Sequence, residues 1–163
     1  MIWICATCAV ETADLTDPPA ECAICSDERQ WVPATGQAWT TLDALRAKGT
    51  RVTIQAVEPG LWGLRGDPEV GIGQQTMVVV TEAGTLLFDC IGYIDAGTVE
   101  FVRSLGPTLA VAASHPHMYG VQTEWAHALE TCQCCSPRRT GNGCGGATRW
   151  SSSTKTAVSS PTG

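Results

Sequence analysis

Long apolar runs and positive charge are both scarce in this sequence. No apolar segment is long enough to cross a bilayer as a helix, and the apolar first ten residues lack the basic start and the length of a signal peptide. We therefore expect a cytoplasmic protein with no membrane partner. The first 130 residues carry all 16 acidic residues but only six of the ten basic ones. An acidic body of this kind argues against a nucleic-acid partner, because it repels the phosphate backbone.

Residues 131–163 lack Leu, Ile, Met, Phe and Tyr altogether and are rich in Ser, Thr and Gly. Such a segment cannot bury a core, so it is predicted to be a disordered tail. Read one base earlier with GC-rich codons, residues 130–157 can spell GDVPVLLSEADREWVRRRDPVVEFYED, which has the pattern of a strand, an amphipathic helix and a strand. This suggests the hypothesis that the tail is a frameshift product and that the native reading frame is cut near Leu129.

Cysteine is abundant. Its nine copies are an odd number, which argues against a complete disulfide framework. Four of them form two CxxC pairs separated by 13 residues: Cys5, Cys8, Cys22 and Cys25. Thiolates at this spacing can converge on one tetrahedral Zn²⁺, which favours a rubredoxin-like zinc ribbon over residues 1–35. Four ligands complete the tetrahedron, so this zinc is expected to be structural. A redox-active dithiol pair is the alternative.

Residues 36–50 look like a linker that contains one short helix. Thr40 or Thr41 can cap it, Leu42 and Leu45 share its apolar face, and Gly49 ends it. Beyond it, alternation and turn signals predict strands at 51–58, 61–64, 76–81, 85–90 and 109–113, with a helix at 95–105. Strands and a helix in this order predict an α/β (α+β) layer architecture.

Two of the three histidines follow the strand predicted at 109–113, in the sequence His115-Pro116-His117. Alternate side chains of an extended segment point the same way, so both imidazoles can face a single metal ion. The alternative is that they are turn histidines without a ligand role. Glu124 and His127 lie three apart on a following helix, which is most simply a solvated helix face.

These features together resemble the metallo-β-lactamase-fold metallo-hydrolases, and in particular a subgroup with an N-terminal zinc ribbon. The resemblance lies in Pro59-Gly60-Leu61-Trp62, in the hairpin TMVVVTEAGTLLFDC with Asp89, and in Ser114-His115-Pro116-His117. It implies that residues 51–130 are the N-terminal part of an αββα domain. It also implies that His115 and His117 are ligands of a catalytic zinc, in addition to the zinc of the cysteines. Asp89 would then orient one of these ligands without binding the metal itself.

The family's metal motif continues with an aspartate and a further histidine, which would fall on Tyr119 and Gly120 here. Neither residue is a usual zinc ligand, so the family's second metal position is not expected. The resemblance implies a zinc-dependent hydrolase in which metal-activated water attacks an ester, thioester or amide of a small-molecule substrate. This chain is expected to be incomplete and inactive if the downstream ligands are missing. The alternative is a non-catalytic zinc-ribbon module that binds a protein partner.

Overall fold

The computed structural model describes residues 1–27 and 32–131, and the backbone of residues 133 and 134. Two sheets and three α-helices make up this part of the chain. The smaller sheet carries the first cysteine pair, and the larger sheet carries the histidines. The described residues therefore have the mixed α/β architecture predicted from the sequence, with a four-cysteine cluster at the N-terminus.

The smaller sheet has three antiparallel strands in the order β2, β1, β3. They are β1 (Ile2–Cys5), β2 (Glu11–Asp14) and β3 (Trp39–Thr40). Cys5, at the end of β1, lies opposite Trp39. The small sheet thus extends into the segment predicted as a linker, because two residues of that linker complete it.

The larger sheet has its strands in chain order from β4 to β9. Four strands form an antiparallel meander: β4 (Arg51–Glu58), β5 (Leu61–Asp67), β6 (Thr76–Thr81) and β7 (Gly84–Phe88). Helix α2 (Ala96–Ser104) then crosses over to β8 (Thr108–Ala112), which runs parallel to β7. The predicted strand pair, crossover helix and third strand are confirmed.

The centre of one face of the larger sheet is fully buried. Val78, Leu87 and Val111 lie directly opposite one another on β6, β7 and β8, and all three have no exposed surface. Val102 of α2 belongs to the same core. Burial of each such side chain is worth about 1.5–3 kcal/mol, so this face anchors the sheet.

Helix capping follows the predicted local signals. Thr41 caps α1 (Leu42–Ala47), and its hydroxyl accepts a hydrogen bond from the Ala44 N–H. Asp95 caps α2 by accepting hydrogen bonds from the N–H and the hydroxyl of Thr98. The second carboxylate oxygen of Asp95 accepts from the Val52 N–H at 3.0 Å. The cap thereby also fixes α2 against the start of β4.

The third helix, α3 (Gln122–Ala128), follows the histidine segment and leads into β9 (Gln133–Cys134), which pairs in parallel with β8. This two-residue strand differs from the irregular chain predicted to begin at residue 131, because the free edge of β8 offers backbone partners to residues 133 and 134. The rest of the predicted tail, residue 132 and residues 135–163, lies outside the described residues. Among the described helices, none has the length and hydrophobicity needed to cross a membrane.

Candidate metal centres

The four cysteines of the two CxxC pairs converge on one point. The Sγ atoms of Cys5 and Cys25 are 3.8 Å apart, and those of Cys8 and Cys22 are 3.7 Å apart. All four sulfur atoms lie within 4.8 Å of one another. Tetrahedral zinc with Zn–S bonds of about 2.3 Å places its ligand sulfurs about 3.8 Å apart. The donor set and its geometry therefore fit one metal ion, as the spacing predicts.

The electrostatics of this cluster call for a cation. All four thiols are buried. Hydrogen bonds from the Cys22 and Cys8 thiols lower the pKa of Cys5, whereas burial raises the pKa of Cys25. Four buried thiols can all ionise only when a positive charge lies among them. A zinc ion would provide that charge and would close the two knuckles into a unit.

The histidine pair lies just beyond the C-terminal end of β8, as predicted from the order of strands. A short 3₁₀ turn (Pro116–Met118) brings the two rings together. The Nδ1 atoms of His115 and His117 are 3.0 Å apart, and the rings stack with centroids 5.0 Å apart. His115 also caps the turn, because its Nδ1 accepts a hydrogen bond from the His117 N–H at 3.4 Å.

Two ring nitrogens this close repel each other if both carry a lone pair there. The repulsion is relieved when one Nδ1 carries a proton and donates it to the other, or when both bind one metal ion. Burial lowers the pKa of His117, and the charge of His115 lowers it further. The negative charge of Asp27 opposes both effects. Asp27 lies two residues after the second cysteine pair. The cysteine module therefore places a carboxylate close enough to His117 to raise its pKa.

Asp89 holds the residue that precedes the histidines. Its carboxylate accepts hydrogen bonds from the Ser114 N–H at 2.7 Å and from the Ser114 hydroxyl at 2.9 Å. Asp89 has φ of 58°, a left-handed conformation that costs energy in residues other than glycine. Asp89 therefore fixes Ser114, the residue directly before His115.

Gly120 explains why the predicted metal motif stops after two histidines. A Cβ atom at this position would lie 2.2 Å from the carbonyl oxygen of Cys90, and φ is 49°. No side chain fits there. A metal site needs several ligand atoms close together. Within the described ranges, only the four cysteines bring three or more His, Cys, Asp or Glu ligand atoms within 4.8 Å of one another. Among the described residues, the two histidines therefore have no third ligand atom close to both of them.

Glu11 is a half-buried acid, with its Oε2 atom buried, that the sequence pattern does not reveal. It lies on β2, and its carboxylate accepts a hydrogen bond from the Thr123 N–H in the first turn of α3. Its own N–H donates to the Gly120 carbonyl at 3.0 Å. Burial raises its pKa to about 7. His127 of the same helix is exposed, which agrees with the solvated face predicted for it.

The chain is similar to one protein of known sequence and unknown role. A stretch of 129 residues, 78% of the chain, is 41% identical to the uncharacterized protein YmaE of Bacillus subtilis (strain 168). The match covers 47% of that protein, so the chain spans about half the length of the relative it matches. Comparison with protein-family models gives no match. No solved structure matches either.

Proposed function

We propose that this chain is a zinc protein of the metallo-β-lactamase-like class. The four cysteines hold a structural zinc, and His115 and His117 contribute two ligands to a hydrolytic metal site. When bound, the metal at the histidines would activate water for attack on an ester, thioester or amide of a small-molecule substrate. The cysteine geometry supports the structural zinc directly, and the hydrolytic role rests on the resemblance together with the histidine pair.

The observation that carries the hydrolytic proposal is the 3.0 Å separation of the two Nδ1 atoms at the C-terminal end of a parallel strand. Open α/β sheets bind their ligands at that end. Tetrahedral zinc with Zn–N bonds of 2.0–2.1 Å places its ligand nitrogens about 3.3 Å apart, which is close to the observed separation. Asp89 fixes the strand end from which both rings extend.

The same geometry limits the site to one metal. The main chain of Cys90 occupies the space that a ligand at position 120 would need. A catalytic zinc usually takes three protein ligands and keeps one position for water. The histidines provide two of the three, and the described residues place no third ligand atom within 4.8 Å of both. We therefore expect weaker metal binding at the histidines than at the cysteines.

Metal counting tests the proposal. Zinc content of the full chain, measured by equilibrium dialysis at a free-zinc concentration high enough to fill the weaker histidine site, should exceed one per chain and fall to one in the His115→Ala/His117→Ala variant. His127→Ala is the matched control, since His127 is the third histidine and lies exposed on α3. Hydrolysis of aryl esters and thioesters by the zinc-loaded chain should be lost in the double variant and retained in the control. One zinc per chain in all three proteins would contradict the proposal.

A non-catalytic binding module is the second candidate function. It is favoured by exposed large apolar side chains on the body, with Phe88 40% and Ile72 50% exposed. Exposed apolar side chains contribute to protein interaction sites where several of them lie together. The acidic charge of the chain favours a protein partner over nucleic acid. A single cysteine-bound zinc with no zinc-dependent hydrolysis would support this second candidate.

A further inference from the structure

The cysteine module and the larger sheet share one hydrophobic core. Ile4 and Ala9 are fully buried and belong to the same cluster as Val78 and Val111 of the large sheet. The buried Gln74 donates from Nε2 to the Cys8 carbonyl oxygen at 3.3 Å. The first knuckle is therefore built into the body and is not an appendage joined to it by a linker.

The knuckle fixes the start of β2. The Ala9 N–H donates to the Cys5 carbonyl at 2.8 Å, and the Cys5 N–H donates to the Val10 carbonyl at 3.0 Å. These bonds close a loop whose two ligand cysteines would be held by the ion. Glu11 is the next residue after this loop. Its position thus depends on whether the loop is held in place.

Glu11 makes two hydrogen bonds to the segment that follows the histidines. Its N–H donates to the Gly120 carbonyl at 3.0 Å, and its Oε1 accepts from the Thr123 N–H at 2.5 Å. Helix α3 has no side-chain cap from its own N-cap residue, Val121. The carboxylate of Glu11, 112 residues away in sequence, acts as the cap.

The turn that follows β7 holds the other side of residues 118–123. The Cys90 N–H donates to the Met118 carbonyl at 2.8 Å, and the Val121 N–H donates to the Ile91 carbonyl at 3.2 Å. Residues 118–123 are therefore clamped between two elements. Of these elements, only β2 connects directly to a metal-ligand loop.

We propose that Glu11 is a positioning residue that couples metal binding at the four cysteines to the conformation of residues 115–123. A metal ion at the cysteines holds the first knuckle, the knuckle holds Glu11, and Glu11 holds the first turn of α3 beside the histidines. The coupling deepens the proposed function, since it makes the order of the histidine segment depend on the structural ion. It requires no metal at the histidines.

Amide hydrogen exchange on the full chain tests this coupling. The exchange of residues 118–124 is compared between zinc-loaded and chelator-treated protein, in the wild type and in the His115→Ala/His117→Ala variant. The double variant lacks the histidine site, so a failure of the hydrolytic proposal leaves the experiment intact. Removing zinc should speed exchange of these amides by at least about fivefold, the factor that corresponds to loss of one helix-capping bond. Residues 76–81 at the sheet centre should keep their protection.

Substitution of Glu11 tests whether the coupling runs through this residue or through other contacts. In zinc-loaded Glu11→Ala, exchange at residues 118–124 should rise about fivefold, as expected for a lost cap. Zinc removal should then have a smaller effect than in the wild type, because only the backbone hydrogen bond from residue 11 to the Gly120 carbonyl is left to be lost. Glu11→Gln keeps an acceptor for Thr123 and should exchange within about twofold of the wild type. Glu58→Ala, at an exposed position of β4, is the control for loss of a carboxylate.

Two outcomes would overturn the proposal. Unchanged exchange at residues 118–124 on zinc removal from the wild type would show that the cysteine ion does not act on this segment. An equal zinc effect in Glu11→Ala and in the wild type would show that the coupling runs through another contact. Cobalt substitution, monitored by thiolate-to-metal absorption, verifies that the Glu11 variants still load the cysteine site.

Discussion

The methyl group of Ala9 occupies the space beside Gly92, and a Cβ atom on Gly92 would lie 2.4 Å from it. Ala9 itself has φ of 66°, a conformation that glycine adopts at lower cost. The contact joins the first cysteine knuckle to the turn that follows β7. The knuckle and the body are thus packed at a separation that leaves no room for one additional methyl group.

This contact predicts a steric defect that a second substitution relieves. Gly92→Ala should lower the free energy of unfolding by about 1–3 kcal/mol, the cost of inserting a methyl group into a packed site. Ala9→Gly in the same chain should recover part of that loss, because it removes the nearest atom that the new methyl group meets and leaves the Val70 Cγ1 atom at 2.9 Å. The measurement is urea unfolding of zinc-loaded protein.

Gly97→Ala is the matched control for this steric prediction. It adds the same methyl group in the first turn of α2, where the nearest atom would be 3.7 Å away. It should be neutral or stabilising by up to about 1 kcal/mol, because alanine favours the helix. A Gly92→Ala variant as stable as Gly97→Ala would show that the knuckle is not packed against the body.

Glu11 predicts a pH dependence of stability with a definite sign. Burial is the main cause that raises its pKa from 4.5 to about 7, and the charge of Glu124 raises it further. The buried Cys90 thiol also lies within the electrostatic range of Glu11. A raised carboxyl pKa means that the folded protein binds more protons than the unfolded chain between these two values. Stability from this group is therefore full below pH 4.5 and is lost as pH rises through 7.

The expected loss over the whole titration is about 3 kcal/mol, from 1.36 kcal/mol for each unit of pKa shift, and about 2 kcal/mol of it falls between pH 5.5 and 8. Glu11→Gln removes the titration, so the difference in unfolding free energy between wild type and variant should change with pH. Measurements at pH 5.5–8 avoid the acid release of zinc from thiolates. Subtracting the variant cancels His117, whose lowered pKa acts with the opposite sign. A difference that is flat over this range would contradict the buried-acid assignment.

The sequence predicts those elements whose signals are local. Thr41 caps α1 because a threonine precedes an apolar helical face, and the β6–β7 hairpin follows from two apolar runs around Ala83-Gly84. The cysteine cluster follows from ligand spacing alone. Each of these features is decided by residues that are close in the chain or by a repeated residue type with known chemistry.

Glu11, Asp27 and β3 could not be predicted because their partners are distant in sequence. Nothing near Glu11 distinguishes it from a solvated acid until β2 lies against α3. β3 has two residues, too few for any alternation, and exists because β1 offers it a partner. The histidine pair was predicted to share one direction, but the proximity of Asp27 depends on the packing of the second knuckle.

Removal of the Asp89 carboxylate is expected to lower the affinity of the histidines for zinc, although Asp89 is not itself a ligand. Asp89→Ala removes the carboxylate that holds the N–H and hydroxyl of Ser114. Loss of such supporting contacts typically weakens metal binding by about 10–100-fold. The measurement is titration of zinc into the cysteine-loaded chain, monitored by the ring resonances of His115 and His117.

Two controls bracket the Asp89 prediction. Asp89→Asn keeps one acceptor oxygen and should give an intermediate affinity. Asp43→Ala removes an exposed carboxylate on α1 and should leave the affinity unchanged. If Asp89→Ala binds zinc at the histidines as tightly as the wild type, Asp89 does not position them.

Gly120 predicts that the missing ligand of the resembled family cannot be restored by substitution. A Cβ atom here would lie 2.2 Å from the Cys90 carbonyl oxygen and 2.6 Å from that of Ile91. Both contacts involve backbone, so no change of rotamer relieves them. Tyr119→Asp/Gly120→His should therefore fold poorly and should gain no additional zinc by metal analysis.

The cost of the Cβ atom itself is measured with alanine. Gly49 and Gly120 both have positive φ, at 83° and 49°, but a Cβ on Gly49 would meet nothing within 4 Å. Gly49→Ala should cost about 1–2 kcal/mol, the price of the left-handed conformation alone. Gly120→Ala should cost this amount plus a clash of at least about 2 kcal/mol, because the turn after His117 must move away from β7. Urea unfolding of the two variants side by side gives the difference, and equal losses would show that the main chain at Cys90 can yield to a side chain at position 120.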